Sequence, residues 1–183
     1  KHIGKKPYVL TFYDMIHEQY PQFILRNDRT SEFKRVLAQR ASRIIAISQN
    51  TKKDILHFID VDENKVDVVY LGNSPAIKDN FSPMAIKLPE RFILFVGNRH
   101  GHKNFNFFIK AIIPVLRKDE DLYIVCAGGE KFSKDESRFL DKLGIKNRIF
   151  RYFVDDDALS YFYQKARVFV FPSLYEGFGI PVL

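Results

Sequence analysis

The sequence is poor in cysteine, tryptophan and methionine. It contains one cysteine, no tryptophan and two methionines among 183 residues. A single cysteine cannot form a disulfide within the chain, so we expect a reducing compartment such as the cytoplasm. Cys126 lies in the apolar run 122–127, where a small buried side chain is favoured over a reactive thiol.

Long apolar runs are also absent. No stretch approaches the roughly 20 apolar residues that cross a bilayer. Lys1 is followed by polar and basic residues, and this is not the pattern of a signal peptide. The first residues run directly into a predicted strand, and the last residues stop inside a predicted helix start. We therefore expect the chain to be truncated at both ends.

The positive charge is not concentrated in any one segment. The net charge of +7 divides into +3 over residues 1–90, with 14 basic against 11 acidic residues, and +4 over residues 91–183, with 15 against 11. Nucleic-acid binders cluster lysine and arginine on one element, so no nucleic-acid partner is expected. An evenly basic surface suits anionic small molecules or an anionic membrane surface.

The first part of the chain alternates strands and helices before a segment that lacks periodicity. Strands are predicted over residues 8–12, 43–47 and 65–70, a polar loop over 13–20, and helices over 31–43 and after the N-cap candidates Ser48 and Thr51. Residues 72–89 hold three of the eight prolines and read as a linker. The expected domains are therefore residues 1–85 and residues 86–183.

The second part shows the same alternation more clearly. Strands are predicted over residues 92–96, 122–127, 148–153 and 168–171, and helices over 104–116, 134–143 and 156–166. Ser133 and Glu136 have the spacing of a capping box, and Gly144 stands where a helix-ending glycine belongs. Near-continuous apolar strands need cover on both faces. This pattern predicts a doubly wound parallel sheet, with ligands beyond the carboxyl ends of its strands.

The loop after the strand at 92–96 has the composition of a diphosphate site. Gly97 and Asn98 allow a ligand to approach the backbone, Arg99 and Lys103 supply two positive charges, and a helix N-terminus follows. A solvated loop with two basic residues is the competing interpretation. His100 and His102 form a pair without a third ligand nearby, so a metal site is not expected.

Three further loops should lie at the same edge of the sheet. Gly128 follows the strand at 122–127, Val154 follows the strand at 148–153, and Ser173 and Leu174 follow the last strand. Glu176 then precedes glycines, in a position suited to accepting hydrogen bonds from a ligand with many hydroxyls. The alternative is that Glu176 only interacts with the dipole of a helix starting at Gly177.

Five segments resemble the family-four glycosyltransferases, also called the group-one glycosyl transferases. In the order of that family they are YDMIHEQYP, RASRIIAISQNTKKDIL, VVYLGN, FILFVGNRHGHKNF and FVFPSLYEGFGIPVL, and together they cover nearly the whole chain. The Glu-x7-Glu signature of the family begins at Glu176, and its second glutamate would fall at position 184. The resemblance implies a GT-B fold, in which the donor-binding domain is a doubly wound, Rossmann-like sheet and the remnant of a first Rossmann-like domain precedes it.

The resemblance also implies roles for individual residues. Arg99 and Lys103 match the basic pair that holds the donor diphosphate and offsets charge on the leaving nucleotide, and Glu176 matches the glutamate that faces the transferred sugar. Donor contacts are further implied for Gly97, Asn98, Gly128, Val154, Ser173, Leu174 and for the backbone of Gly177, Phe178, Gly179 and Ile180. On the acceptor side, Tyr13 and Asp14 stand where many relatives have a His-Asp pair, and His17, three residues on, is within reach of the same cleft. Ser48 matches a position that follows a strand of the first domain and faces the interdomain cleft.

The activity implied by the resemblance is a hexosyltransferase reaction. A hexose would pass from a nucleoside diphosphate sugar to a hydroxyl of a glycan or lipid-linked acceptor, with retention of configuration, and no cofactor or metal would be required. The enzyme would act in the cytoplasm, with the inner face of the cell membrane as one location. A nucleotide-sugar binding module without catalysis is the alternative for a truncated chain, and a basic peripheral membrane-surface domain is a third.

Overall fold

The structure is a computed structural model that describes residues 6–72 and 86–182. It divides into two compact units, one formed by Lys1–Asn73 with Leu174–Leu183 and the other by Ser74–Ser173. The predicted domain boundary at residue 85 lies outside the described residues. The division at that position therefore stays a prediction.

Unit 1 contains a three-stranded parallel sheet with the strand order β1-β2-β3. Its elements are β1 (Val9–Phe12), α1 (Ile16–Gln19), α2 (Thr30–Arg40), β2 (Arg43–Ala46), α3 (Gln49–Phe58) and β3 (Val66–Val68). The core gathers Phe12, Ile44 and Ile55, each at most 3% exposed. The predicted strands and the two long helices of this unit are confirmed.

The start of α3 follows from one local hydrogen bond. Ser48 is its N-cap, and the Ser48 Oγ accepts a hydrogen bond from the Thr51 backbone amide at 3.0 Å. The short α1 was not predicted, because four residues are too few to show helical periodicity. Asp14 Oδ1 accepts a hydrogen bond from the Ile16 amide at 3.1 Å just before this helix.

Unit 2 contains a four-stranded parallel sheet with the strand order β6-β5-β4-β7. Its elements are β4 (Phe92–Val96), α4 (Phe105–Lys118), β5 (Tyr123–Ala127), α5 (Lys134–Lys142), β6 (Ile149–Tyr152), α6 (Asp156–Lys165) and β7 (Val168–Phe169). Each parallel pair that is consecutive in the chain is joined through a helix. The predicted doubly wound parallel sheet is confirmed.

Both faces of this sheet are buried. Phe92 and Leu94 pack with Phe162 of α6 on one face, whereas Phe95 packs with Phe105 of α4 on the other. Alternate residues of one strand therefore enter separate cores, as the apolar strand pattern predicts. None of the helices within residues 6–72 and 86–182 is long and apolar enough to cross a membrane.

The predicted ends of two helices can be compared directly with the structure. Ser133 and Glu136 form the expected capping box at the start of α5. In contrast, the α-helix expected from Gly177 is wrong, because the structure has a single 3-10 turn over Ile180–Val182. Glycines at 177 and 179 do not favour continued α-helix, since glycine loses more backbone entropy than other residues.

Cys126 provides a simple test of the core of unit 2. The side chain is fully buried on β5, and burial raises the pKa of its thiol to about 12. We expect no modification by a thiol reagent in the native protein at pH 8, and complete modification in denaturant, since the thiolate is the reactive form. Native modification at the rate of a small-molecule thiol would contradict this packing.

Candidate functional site

The order of the strands in unit 2 predicts a ligand crevice between β4 and β7. The chain proceeds from β4 through β5 to β6 on one side, and then returns to place β7 on the other side of β4. In open parallel sheets, ligands bind outside the carboxyl ends of the strands at such a reversal. The loops that follow β4 and β7 are therefore the first place to look for a site.

The predicted edge residues do lie along one edge of the sheet. Gly97 follows β4 and donates from its amide to the carbonyl of Ala127, and Gly128 follows β5 and donates to the carbonyl of Tyr152, both at 2.9 Å. Val154 and Ser173 come after the carboxyl ends of β6 and β7. Because the four strands are parallel, these loops share one edge.

The loops after β4 and β7 are tied together. Asn104 adopts a left-handed conformation with φ 57°, and its Nδ2 donates a hydrogen bond to the carbonyl of Pro172 at 3.2 Å. Lys103 Nζ lies 5.5 Å from the centre of the Phe171 ring. The structure thus brings Lys103 to the strand-order reversal, the position that suits a cation for a diphosphate. Asn98 lies exposed in the same loop.

Arg99 lies inside the protein rather than in a solvated loop. It is 5% exposed, and its Nε donates to Glu136 Oε1 at 2.7 Å. Its Nη2 donates to the carbonyl of Glu130 at 2.7 Å, and the guanidinium lies 4.5 Å from the centre of the Phe132 ring. The guanidinium is therefore committed on one side to a buried ion pair.

One nitrogen of the Arg99 guanidinium, Nη1, lies outside this ion pair. Its Nη1 is buried and has no hydrogen-bond partner among the residues that the structure describes. Gly129 has φ +66°, and a Cβ there would come within 3.1 Å of this nitrogen and within 3.0 Å of the Gly97 carbonyl oxygen. The glycine therefore keeps the space beside Nη1 clear of a side chain.

Glu136 holds Arg99 in place, and the shifted pKa of its carboxyl makes the stability of the fold depend on pH. Burial alone would raise the pKa of its carboxyl, but hydrogen bonds from Arg99 and Ser133 outweigh burial and lower it. A lowered pKa stabilises the fold above the usual carboxyl pKa, and this stability is lost as the pH falls through the lowered value. We expect the free energy of unfolding to decline below pH 5, and less so in Glu136→Ala.

Glu136→Ala itself should lower the free energy of unfolding by about 3 kcal/mol at pH 7, because it leaves the buried Arg99 without its anion and removes the capping box. Urea unfolding measures this loss. Asp135→Ala is the matched control, since the Asp135–Arg138 pair is exposed and should contribute less than about 1 kcal/mol. Equal losses in the two variants would contradict the buried pair.

Ser173 shows a second unpaired polar atom at this edge. Its Oγ is buried and has no hydrogen-bond partner within residues 6–72 and 86–182. Buried hydroxyl groups are normally paired, so an unpaired one at a ligand-binding edge points to a missing partner. Val154 is half-buried after β6. No structural observation tests the donor contact expected of Val154, and that role stays a prediction.

The signature segment, residues 174–182, contains Glu176 and belongs to unit 1. Leu174, Glu176, Phe178, Gly179 and Ile180 lie in the stretch that the contacts assign to that unit. Gly177 is buried there, and its carbonyl accepts hydrogen bonds from the hydroxyls of Ser48 and Thr51. Ser48 thus contacts the signature segment itself.

The remaining acceptor-side residues surround a pocket in unit 1. The pocket has a volume of about 380 Å³, and Tyr13, Asp14 and His17 are among the residues that line it. Lys34 Nζ bridges Asp14 Oδ1 at 3.3 Å and Glu18 Oε2 at 3.2 Å. The structure therefore brings three of the four predicted acceptor-side residues together, whereas Ser48 is not in this lining.

Metal ligation has no candidate cluster in the described part of the chain. Within residues 6–72 and 86–182, no group of three or more histidine, cysteine, aspartate or glutamate side chains could hold a metal ion. His102 lies in the 3-10 turn Gly101–Lys103, which follows His100. The question of metal dependence in the reaction is separate from this finding.

Sequence reasoning missed several residues that the structure places at these sites. Glu136 was seen only as a helix cap, and Asn104 only as a helix start. Thr51 and Asp54 were not connected with the signature segment at all. A buried threonine three residues after an N-cap serine is a weak signal in one sequence, since its partner lies 126 residues away.

Two family models together match the whole chain. The family model described as Glycosyl transferases group 1 matches residues 76–183, and the one described as Glycosyltransferase Family 4 matches residues 1–75. The "Uncharacterized glycosyltransferase MJ1607" of Methanocaldococcus jannaschii is 27% identical over 195 residues, covering 100% of this chain and 50% of that protein.

Two further proteins resemble this chain, one in sequence and one in structure. The "O-antigen chain mannosyltransferase RfbU" of Salmonella typhimurium is 28% identical over 173 residues, covering 94% of this chain and 47% of the relative. A crystal structure of Anabaena Alr3699/HepE with UDP and glucose has a TM-score of 0.71 at 19% identity, covering 97% of this chain and 49% of that one. The chain thus spans about half the length of these relatives, and the structural likeness supports the GT-B fold.

Proposed function

This chain belongs to the glycosyl transferases group 1, and we propose on that basis that it is part of an enzyme that transfers a hexose from a nucleoside diphosphate sugar to an acceptor hydroxyl. The acceptor class that we propose is a glycan or a lipid-linked glycan. Retention of anomeric configuration is part of the proposal through family membership. A location at the cytoplasmic face of the cell membrane belongs to the same proposal.

The observation that carries this proposal is the pair of loops at the strand-order reversal of unit 2. Lys103 lies there against Phe171, and Asn104 fixes its loop to Pro172. A cation held at the carboxyl edge of a parallel sheet is suited to a diphosphate. When the bond between the sugar and the diphosphate breaks, negative charge develops on the leaving oxygen, and a preorganised ammonium group stabilises it.

Arg99 supplies a second positive charge in this proposal. Glu136 holds the guanidinium in one orientation, so only Nη1 is left to donate to a ligand oxygen. Lys103 lies directly at the strand-order reversal, and we therefore assign the larger electrostatic effect to it. Because two cations and the start of α4 act on one diphosphate, the proposal includes no metal ion.

We propose that the transferred sugar is mannose. RfbU is named as a mannosyltransferase of the O-antigen chain, and it covers 94% of this chain. The HepE structure contains UDP and glucose, so a glucose donor is the natural comparison. A hexose of either kind presents hydroxyls that a glutamate can bind, and Glu176 is the residue that we assign to them.

The proposal is tested by measuring nucleoside diphosphate release. A full-length protein that contains this sequence is incubated with GDP-mannose or UDP-glucose, each with and without a mannose-terminated oligosaccharide. We expect one donor to release its nucleoside diphosphate faster when the acceptor is present, and NMR of the product to show the anomer of the donor. Tight donor binding without release from any donor would favour the non-catalytic binding module instead.

A further inference from the structure

The carbonyl of Gly177 is held by two hydroxyl groups at the start of α3. Ser48 Oγ lies 2.5 Å and Thr51 Oγ1 lies 3.2 Å from the Gly177 carbonyl oxygen, and both act as donors to it. Thr51 is completely buried, and the only other buried polar or charged side chain among the described residues is Arg99. Buried hydroxyl groups are normally hydrogen-bonded, and the Thr51 hydroxyl has its partner in Gly177 of the signature segment.

The close packing of Gly177 within unit 1 leaves no room for a side chain. A Cβ at this position would overlap the carbonyl oxygen of Tyr13 and would lie within 3.4 Å of the Asp14 Cα. Since both neighbours are backbone atoms, they cannot turn away as a side chain could. The glycine and the two hydroxyls together fix the position of this peptide.

The residues on the other side of Glu176 are held as well. Tyr175 donates a hydrogen bond from its hydroxyl to Asp54 Oδ2 at 2.5 Å, and the hydroxyl of Tyr20 donates to the Leu174 carbonyl at 3.2 Å. Burial and the Asp54 carboxylate raise the pKa of Tyr175, so the phenol keeps its proton for this bond at physiological pH. Glu176 therefore stands between two anchored neighbours.

We propose that Thr51 and Asp54, acting with Ser48, are positioning residues for the carboxylate of Glu176. The hydroxyl of Thr51 holds the carbonyl of Gly177, the residue after Glu176, and Asp54 holds the side chain of Tyr175, the residue before it. Both lie on one helix, α3, one turn apart, so a single rigid element fixes the segment from both sides. The inference rests on the proposed function, because it assigns a consequence to the role of Glu176 in transfer.

The anchoring itself can be tested without any activity measurement. In the full chain, Thr51→Val keeps the shape of the side chain but removes the hydroxyl, whereas Thr51→Ser keeps the hydroxyl. We expect native-state cleavage by chymotrypsin after Tyr175 and Phe178 to be about 10-fold faster in Thr51→Val, because the segment opens more often. Thr51→Ser and the exposed-site control Lys53→Ala should cleave as the wild type does.

The functional consequence is measured in a full-length protein that contains this sequence. We expect Thr51→Val to lower kcat about 10-fold and to change the donor KM by less than about 2-fold, since small misplacements of a positioned group mainly affect turnover. Thr51→Ser should recover most of the turnover. Tyr175→Phe, which removes the bond to Asp54, should act in the same direction and replaces Thr51→Val if that variant does not fold.

The outcomes separate this inference from the proposed function. Unchanged cleavage in both Thr51→Val and Tyr175→Phe would overturn the anchoring. Faster cleavage with normal kcat would overturn the positioning role, provided that Glu176→Gln lowers kcat. If Glu176→Gln itself leaves kcat unchanged, the proposed role of Glu176 is wrong, and the positioning role is overturned with it while the anchoring stands on the cleavage result.

Discussion

Lys103→Ala is expected to lower kcat/KM for the nucleotide sugar by about 10²-fold or more in a full-length protein that contains this sequence. The ammonium group lies at the strand-order reversal, 5.5 Å from the Phe171 ring centre, where the donor diphosphate is proposed to bind. Its removal takes away the charge that is proposed to stabilise the leaving diphosphate. Steady-state kinetics with varied donor at saturating acceptor measure the effect.

Three variants serve as comparisons for Lys103→Ala. His100→Ala, in the same loop, should change kcat/KM by less than about 3-fold, since no diphosphate contact is assigned to it. Arg99→Ala should lower both kcat/KM and stability, because Glu136 is left buried without its cation at a cost of about 3–5 kcal/mol. The double variant should be far from additive, as both cations are proposed to act on one diphosphate. A normal kcat/KM in Lys103→Ala would show that Lys103 is only a basic residue of a solvated loop.

Glu176→Gln is expected to lower kcat by about 10²-fold while the donor KM changes little. Positive character builds at the anomeric carbon as its bond to the diphosphate lengthens, and a carboxylate beside the sugar stabilises that charge. The amide of glutamine keeps part of the hydrogen bonding to hydroxyls in the ground state, so binding suffers less than turnover. Initial rates and donor titrations on one preparation separate the two effects.

The competing interpretation of Glu176 as a helix-dipole partner makes a different prediction. It expects a stability loss of roughly 0.3–1 kcal/mol with normal turnover. The structure weakens this interpretation, because Gly177 lies outside any helix and the 3-10 turn Ile180–Val182 begins four residues after Glu176. Glu120→Gln removes an exposed carboxylate elsewhere and is the control. A lower melting temperature with intact turnover in Glu176→Gln would end the catalytic assignment.

The fold could be predicted from the sequence because its signals are local. Apolar strands such as Phe92–Val96 and capping residues such as Ser133 report their structure within a few positions along the chain. Once the strands are known to be parallel, their carboxyl ends must meet at one edge, and the loops at Gly97 and Gly128 follow from that. The family resemblance added the roles of these loops, which periodicity alone does not supply.

The side-chain partners could not be predicted in the same way. Arg99 was expected to face a ligand, and nothing in the local sequence showed that it also pairs with Glu136, which lies 37 residues away and also caps α5. Thr51 finds its partner in Gly177 at the far end of the chain. Such pairings depend on how separate elements pack, and no local pattern within one sequence records which of many polar residues will meet.

Calorimetric titration of a nucleoside diphosphate into this chain tests the central claim most directly. The claim is that the loops after β4 and β7 hold the donor through its diphosphate, with Lys103 as the principal cation. We expect GDP or UDP to bind, Lys103→Ala to weaken that binding at least about 10-fold, and the corresponding nucleoside without phosphates to bind both proteins equally. Equal affinity of the wild type and Lys103→Ala for the nucleoside diphosphate, or no binding of any nucleoside diphosphate, would contradict the claim.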